Sequence, residues 1–199
     1  MPWLKIFALG GAGVAVLGVA SLMPAANALF AAHMVQHLLL IAFAAPLLVM
    51  GGVRLRLGPA SAWGLFVGIF LFWHWPAAFQ WAALHPAGEI LELASILASA
   101  TVFWTCVLGA DIPGAGARAL MVVTAAIVTD LPGVIMLFAP TAICVMPGED
   151  AARFGLTPLQ DQQVAGLLMW VPANLVFFSV ATWLFAQWIG ASGPRAINS

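Results

Sequence analysis

The sequence predicts an all-α integral membrane protein, a bundle of about six transmembrane helices with its N-terminus and C-terminus in the cytoplasm. Of the 199 residues, 64% are hydrophobic and only 7% are charged, whereas soluble domains carry about 25% charged residues. The apolar residues form long runs, and a helix needs about 20 of them to cross the hydrocarbon core. Six such runs occupy the whole length, so we expect residues 1–199 to form a single transmembrane helical domain.

Short turn-forming stretches separate these runs. Helices are expected throughout, because an open sheet edge would leave backbone groups unsatisfied in lipid. In the third run, Gly64 and Gly68 form a GxxxG step, which predicts the close approach of another helix. The spans are predicted at roughly 5–23, 29–50, 60–82, 88–109, 118–140 and 158–189. The breakers between them are Pro24, Asn27, Gly51, Gly52, Gly58, Pro59, His85, Pro86, Pro113, Gly114, Pro147 and Gly148.

The first run has two interpretations. Lys5, the apolar run and Ala26-Asn27-Ala28 resemble a signal peptide with its cleavage site. The run of about 18 apolar residues is longer than the usual signal core of about 7–15. We therefore expect a retained helix and keep cleavage of residues 1–28 as the alternative.

The last run is too long for a straight helix perpendicular to the membrane. It predicts a tilted helix, or one that bends at Pro172. Its start carries the signature of a capping box, with Thr157 as the N-cap, Pro158 as the first helical residue and Gln160 bonding back.

The basic residues predict the orientation, because Lys and Arg are enriched on the cytoplasmic side of membrane proteins. With six spans and a cytoplasmic N-terminus, five of them fall inside and Arg153 falls outside. Cys106 and Cys144 then lie at opposite faces, so we expect no disulfide between them. The five inner residues are Lys5, Arg54, Arg56, Arg118 and Arg195.

Histidines gather toward the predicted outer face. His33 and His37 are four residues apart, a spacing that puts both imidazoles on one helix face and within reach of one ion. His74 comes at a similar depth on the next span. Sulfur on the same side, together with imidazole, suits copper and especially Cu(I). The sulfur-containing residues are Met136, Met146, Met169 and Cys144. The alternative is that the histidines only form hydrogen bonds at the membrane interface and that the sulfur-containing side chains only fill space in the packing.

The acidic residues and His85 leave several roles open. Asp130 falls near mid-membrane, where a charge costs roughly 2.5–3.5 kcal/mol on insertion scales, so it is either a satisfied structural group or part of an ion path. Glu89 and Glu92 fall at a predicted helix N-terminus, where the helix dipole favours anions, and capping is the expected role. His85 precedes a proline in a loop and is expected to be solvated.

Two long motifs resemble those of a known family. The first runs from Phe30 through His33-Met34-Val35-Gln36-His37 to Leu40, followed by Ala45-Pro46-Leu47-Leu48 and Gly51, and the second is DQQVAGLLMWVP over residues 161–172. His74-Trp75-Pro76 and Phe103-Trp104 fit the same pattern. Together, over roughly residues 30–175, they resemble the multi-pass cytochrome c oxidase assembly factors of the CtaG type. Members usually have seven spans and histidines near positions 89 and 93, where this chain has Glu89 and Leu93 while keeping Glu92.

The resemblance implies a role in building haem–copper oxidases, by binding or delivering copper at the periplasmic side of a bacterial inner membrane. The implied partners are cytochrome c oxidase subunits and a periplasmic copper chaperone, besides the lipid bilayer. Met169 would be a soft ligand beside the three histidines, and Asp161 or Gln162 would orient an imidazole. The site residues that match the family motifs are His33, His37, His74, Met169, Asp161 and Gln162.

Other functions remain open at this stage. His37 and His74, on two helices at similar depth, could be axial ligands of a b-type haem in an electron-transfer protein. A transporter would place Asp130 on an ion path, and a structural subunit would bind nothing. No hydrolase constellation is recognisable, so catalysis is not expected, and the net charge of −1 gives no indication of a nucleic-acid partner.

Overall fold

The computed structural model describes residues 2–109, 114–147 and 150–192, and these ranges are helical without a β-strand. A π-helical stretch, Leu39–Ala44, joins the second helix to the third, and a 3₁₀ turn, Asp150–Phe154, precedes the last. Arg195 and the predicted breakers Pro113 and Gly148 lie outside the described ranges. The α-helices are α1 (Pro2–Ala26), α2 (Phe30–Leu38), α3 (Ala45–Gly51), α4 (Pro59–Trp73), α5 (Pro76–Leu84), α6 (Pro86–Leu108), α7 (Ala115–Phe138) and α8 (Pro158–Ser192).

The helices have the length and composition of membrane spans. Five segments qualify by themselves: α1, the continuous stretch from α2 to α3, α6, α7 and α8. The pair α4 and α5 qualifies as a sixth only if taken together. The predicted all-α membrane bundle of about six spans is thereby confirmed.

The third predicted span, 60–82, is not one straight helix. The axes of α4 and α5 differ by 71°. Pro76 is the cause, because a proline pushes the residue before it out of the helical region, and Trp75 is extended at φ −72° and ψ 129°. His74 ends α4 at this bend.

The start of α8 follows the predicted capping box. Thr157 N–H donates to Gln160 Oε1 at 2.9 Å, and Gln160 N–H donates to Thr157 Oγ1 at 3.2 Å. The helix then continues through Pro172 to Ser192 without interruption, so Pro172 does not end it.

Glycines bring α7 and α8 together, but not those of the predicted GxxxG step. A Cβ added to Gly166 would lie 2.5 Å from the carbonyl oxygen of Gly133, and one added to Gly133 would lie 3.1 Å from that of Gly166. By contrast, a Cβ at Gly64 or Gly68 would meet no atom of the described chain within 4 Å. Within the described ranges of the chain, the predicted close approach at the GxxxG step is therefore not made.

The two ends of the bundle differ in character. At one end, Arg118 Nη1 donates to the carbonyls of Val107 (3.3 Å) and Gly109 (3.1 Å), and so caps α6. Arg54 Nη1 donates to the Val49 carbonyl of α3 in the same way. At the other end, the N-termini of α2, α6 and α8 meet the C-terminus of α4, and the histidines lie there. Cys106 and Cys144 are both free and buried.

Candidate metal centre

Helix α2 places the first two histidines side by side. His33 and His37 are each only 3% exposed, and their ring centroids are 4.6 Å apart. The distance follows from their four-residue spacing, since side chains one turn apart are neighbours on a helix surface. Both rings face the interior of the bundle, toward α6.

Helix α6 contributes a carboxylate to the same point. Glu92 is fully buried, and its Oε1 lies 3.3 Å from the Nε2 atoms of both His33 and His37. Ligand atoms of these three residues all lie within 4.8 Å of one another, as a common metal ion requires. The expected capping role does not apply to Glu92, because α6 begins at Pro86 and Glu92 sits in its second turn; Glu89 occupies the first.

The bend between α4 and α5 brings in the third histidine. The ring centroid of His74 lies 5.4 Å from that of His37. His74 Nδ1–H donates to the Phe70 carbonyl at 2.7 Å. A carbonyl can only accept, so the neutral imidazole has its lone pair on Nε2. His85, in contrast, is exposed, as predicted, and its ring stacks on Trp81.

Several buried polar atoms of this cluster have no hydrogen-bond partner. His37 Nε2 is close to Glu92 but is not aligned with it as a hydrogen bond. Buried polar atoms are nearly always satisfied in native proteins, so a concentration of unpaired ones at a single point indicates a binding site. The residues present therefore fit a metal ion. The unpaired atoms are His37 Nδ1, His37 Nε2, His74 Nε2 and Glu92 Oε2.

A small cavity of about 30 Å³ adjoins His37. It exceeds the 10–15 Å³ or so needed for one water, and so it has room for a small ion. Met169 of α8 lines it together with His37, Met34 and Thr129. Of the predicted sulfur donors, Met169 is the one that lines the same cavity as an imidazole in the described structure.

The other predicted sulfur residues serve the interior packing. Met136, Met146 and Cys144 belong to the main hydrophobic core, as Met169 does, but they do not line the cavity beside His37. Burial raises the pKa of the Cys144 thiol to about 11. Because the thiolate is the form that binds metals, a thiol that stays protonated at neutral pH is a poor ligand.

Asp161 and Gln162 bond to the backbone around the cluster, and in the described structure neither bonds to an imidazole. The carboxylate of Asp161 accepts hydrogen bonds from Phe30 N–H at 2.7 Å and Ala31 N–H at 2.9 Å. It thereby caps α2 from the first turn of α8, where Leu29, the local N-cap residue, offers no side-chain bond. Through this cap Asp161 fixes the turn that leads to His33.

Gln162 joins the connection after α7 to α8. Its Oε1 accepts from the Cys144 N–H at 2.9 Å, and its Nε2 donates to the Met136 carbonyl at 2.9 Å. Asp130 lies elsewhere, where Asn174 Nδ2 donates to its Oδ2 at 2.8 Å. It is a polar pair between α7 and α8, which supports the structural interpretation over an ion path.

Comparison with known protein families gives one match. The family model of the cytochrome c oxidase caa3 assembly factor (Caa3_CtaG) matches residues 52–191, well over half of the chain. The chain belongs to this family. Searches of curated proteins and of solved structures gave no match.

The part of the chain that matches the family model includes His74, Glu92, Asp161 and Met169, whereas the His33–His37 pair precedes it. Glu92 is the residue of the cluster that sequence reasoning missed as a site residue. Its signal was weak, because a carboxylate near a helix N-terminus is usually explained by the helix dipole. That Glu92 is buried against two imidazoles becomes evident only once α6 is packed against α2.

Proposed function

We propose that this cytochrome c oxidase assembly factor holds a copper ion between α2, α4 and α6. The observation that carries the proposal is the buried cluster of His33, His37, His74 and Glu92, with its unpaired nitrogen and oxygen atoms. An uncompensated group of this kind is costly in a membrane interior, and a bound cation offsets the cost.

The donor set suits copper as cargo. Imidazole nitrogens bind copper in both oxidation states, and a thioether such as that of Met169 favours Cu(I). Glu92 balances the charge of the ion, in the low dielectric where that balance matters most. In this arrangement Asp161 and Gln162 support the ligands through the backbone.

The cavity beside the histidines disfavours the haem alternative. His37 and His74 have ring centroids 5.4 Å apart, and the adjoining space is about 30 Å³. A porphyrin does not fit between them without a large rearrangement, whereas a single ion does.

The expected result with purified protein is about one copper per chain and no Soret band. Elemental analysis and an absorption spectrum on the same sample measure both. A Cu(I)-specific chelator titrated against the loaded protein then gives the affinity and the oxidation state. Zinc in place of copper, or no metal after incubation with Cu(I), would overturn the copper assignment, and a Soret band would establish the haem alternative.

The proposal includes an orientation, with the copper site on the periplasmic side of a bacterial inner membrane, facing oxidase subunits and a copper chaperone. The basic caps at the opposite end of the bundle support it. Reporter fusions at Ser199 and within residues 141–157 are expected to report the cytoplasm and the periplasm, respectively. A periplasmic Ser199 would reverse the orientation and place the site on the wrong side for a periplasmic donor.

A further inference from the structure

Trp104 donates a hydrogen bond to the backbone about one helical turn after His37. It is fully buried on α6, and its indole Nε1–H donates to the Ile41 carbonyl at 2.7 Å. Ile41 lies in the π-helical stretch Leu39–Ala44 that directly follows α2. A side chain of α6 thus holds the backbone of the stretch that directly follows the helix of His37.

Pro46 explains why the Ile41 carbonyl needs that partner. In the π-helical stretch the Ala45 N–H donates to the Leu40 carbonyl, five residues back. In the same register the next donor, to Ile41, would be residue 46, and proline has no N–H. The Ile41 carbonyl is therefore left without a helical donor, and a buried carbonyl without a partner is costly. Trp104 supplies the missing N–H.

The π-helical stretch sets the direction in which the histidines point. An i→i+5 turn accommodates one more residue than an α-turn, so it rotates α2 relative to α3 about the common axis. On the α3 side Ala45 and Val49 are fully buried, which fixes that half. On the α2 side the rotation decides whether His33 and His37 face α6.

Helix α6 carries both contacts. Glu92 meets the histidines, and Trp104, twelve residues further along, meets the π-helical stretch. From this geometry we infer that Trp104 is a positioning residue for the His33–His37–Glu92 cluster, acting through the Ile41 carbonyl. The inference deepens the proposed copper function and rests on it.

Trp104→Phe tests the inference, because it removes the N–H and keeps an aromatic ring. The variant is expected to bind Cu(I) about 10-fold more weakly, the lower end of the range for partners that orient metal ligands. Trp63→Phe is the matched control: its indole Nε1 is buried without an acceptor, so the same change removes no hydrogen bond. It is expected to bind Cu(I) like the wild type.

Pro46→Ala sharpens the test. An alanine at this position has an N–H that can donate to the Ile41 carbonyl, so Trp104→Phe should cost little in this background. The double variant is expected to regain most of the lost affinity. Equal losses for Trp104→Phe and Trp63→Phe, or an undiminished loss in the Pro46→Ala background, would overturn the inference.

Two metal-free measurements separate this inference from the proposed function. Trp104→Phe should lower the melting temperature by about 2–4 °C with Pro46 present and by less in the Pro46→Ala background. It should also shift the imidazole ¹⁵N resonances of His33 and His37, whereas Trp63→Phe should not. If the wild type binds no copper, the proposed function fails, and these two measurements still decide whether Trp104 positions the histidines.

Discussion

Replacing His37 by alanine should reduce Cu(I) affinity by at least about 100-fold, because even partners that only orient ligands cost 10–100-fold. His37 is central in the cluster. Its Nε2 lies 3.3 Å from Glu92 Oε1, and its ring is adjacent to the rings of both His33 and His74. Its nitrogens have no hydrogen-bond partner, so the replacement removes no hydrogen bond and only the 3.3 Å contact with Glu92. Chelator competition on purified protein measures the affinity, and oxidase activity in cells measures the consequence.

His85→Ala is the matched control for this experiment. His85 is exposed and lies in the turn between α5 and α6, so copper binding should be unchanged. His37→Leu is a second variant that fills most of the space of the imidazole. It separates a loss of copper binding caused by the missing ligand from one caused by a cavity left in the core. Full copper binding and full oxidase activity in His37→Ala, His33→Ala and His74→Ala would show that the cluster is not a copper site.

Replacing Asp161 by alanine should have the largest effect on stability. The change leaves the buried N–H groups of Phe30 and Ala31 without an acceptor, at about 1–3 kcal/mol each, and removes a negative charge from the N-terminus of α2. For a chain of this size about 2 kcal/mol corresponds to at least about 4 °C in melting temperature. Thermal unfolding in detergent is the measurement.

The same variant should also weaken copper binding, because the first turn of α2 leads directly to His33. Gln163→Ala is the control, since Gln163 lies in the same region of α8 and its side chain makes no hydrogen bond in the described structure. The free energy of unfolding of this control should lie within about 0.5 kcal/mol of the wild-type value, as is usual for surface changes that remove no such bond. Equal melting temperatures for Asp161→Ala and Gln163→Ala would contradict the capping role.

Local physics accounts for what could be predicted from the sequence. Apolar runs of spanning length determine helices in a membrane, because lipid offers backbone groups no other partners. The capping box of Thr157 and Gln160 needs only neighbours three residues apart. The placement of His33 and His37 on one face needs only the pitch of a helix.

The sequence by itself determined the membrane class, the helical spans, the family motifs and the pair of neighbouring imidazoles. Only the tertiary structure decided what meets that pair, because contacts between helices depend on rotation and depth, which no local pattern encodes. Packing made Glu92 a partner of the histidines rather than a cap, and it made Asp161 the cap of another helix rather than a partner of an imidazole. It also gave the Ile41 carbonyl, which Pro46 leaves without a donor, its hydrogen bond from Trp104, 63 residues away along the chain.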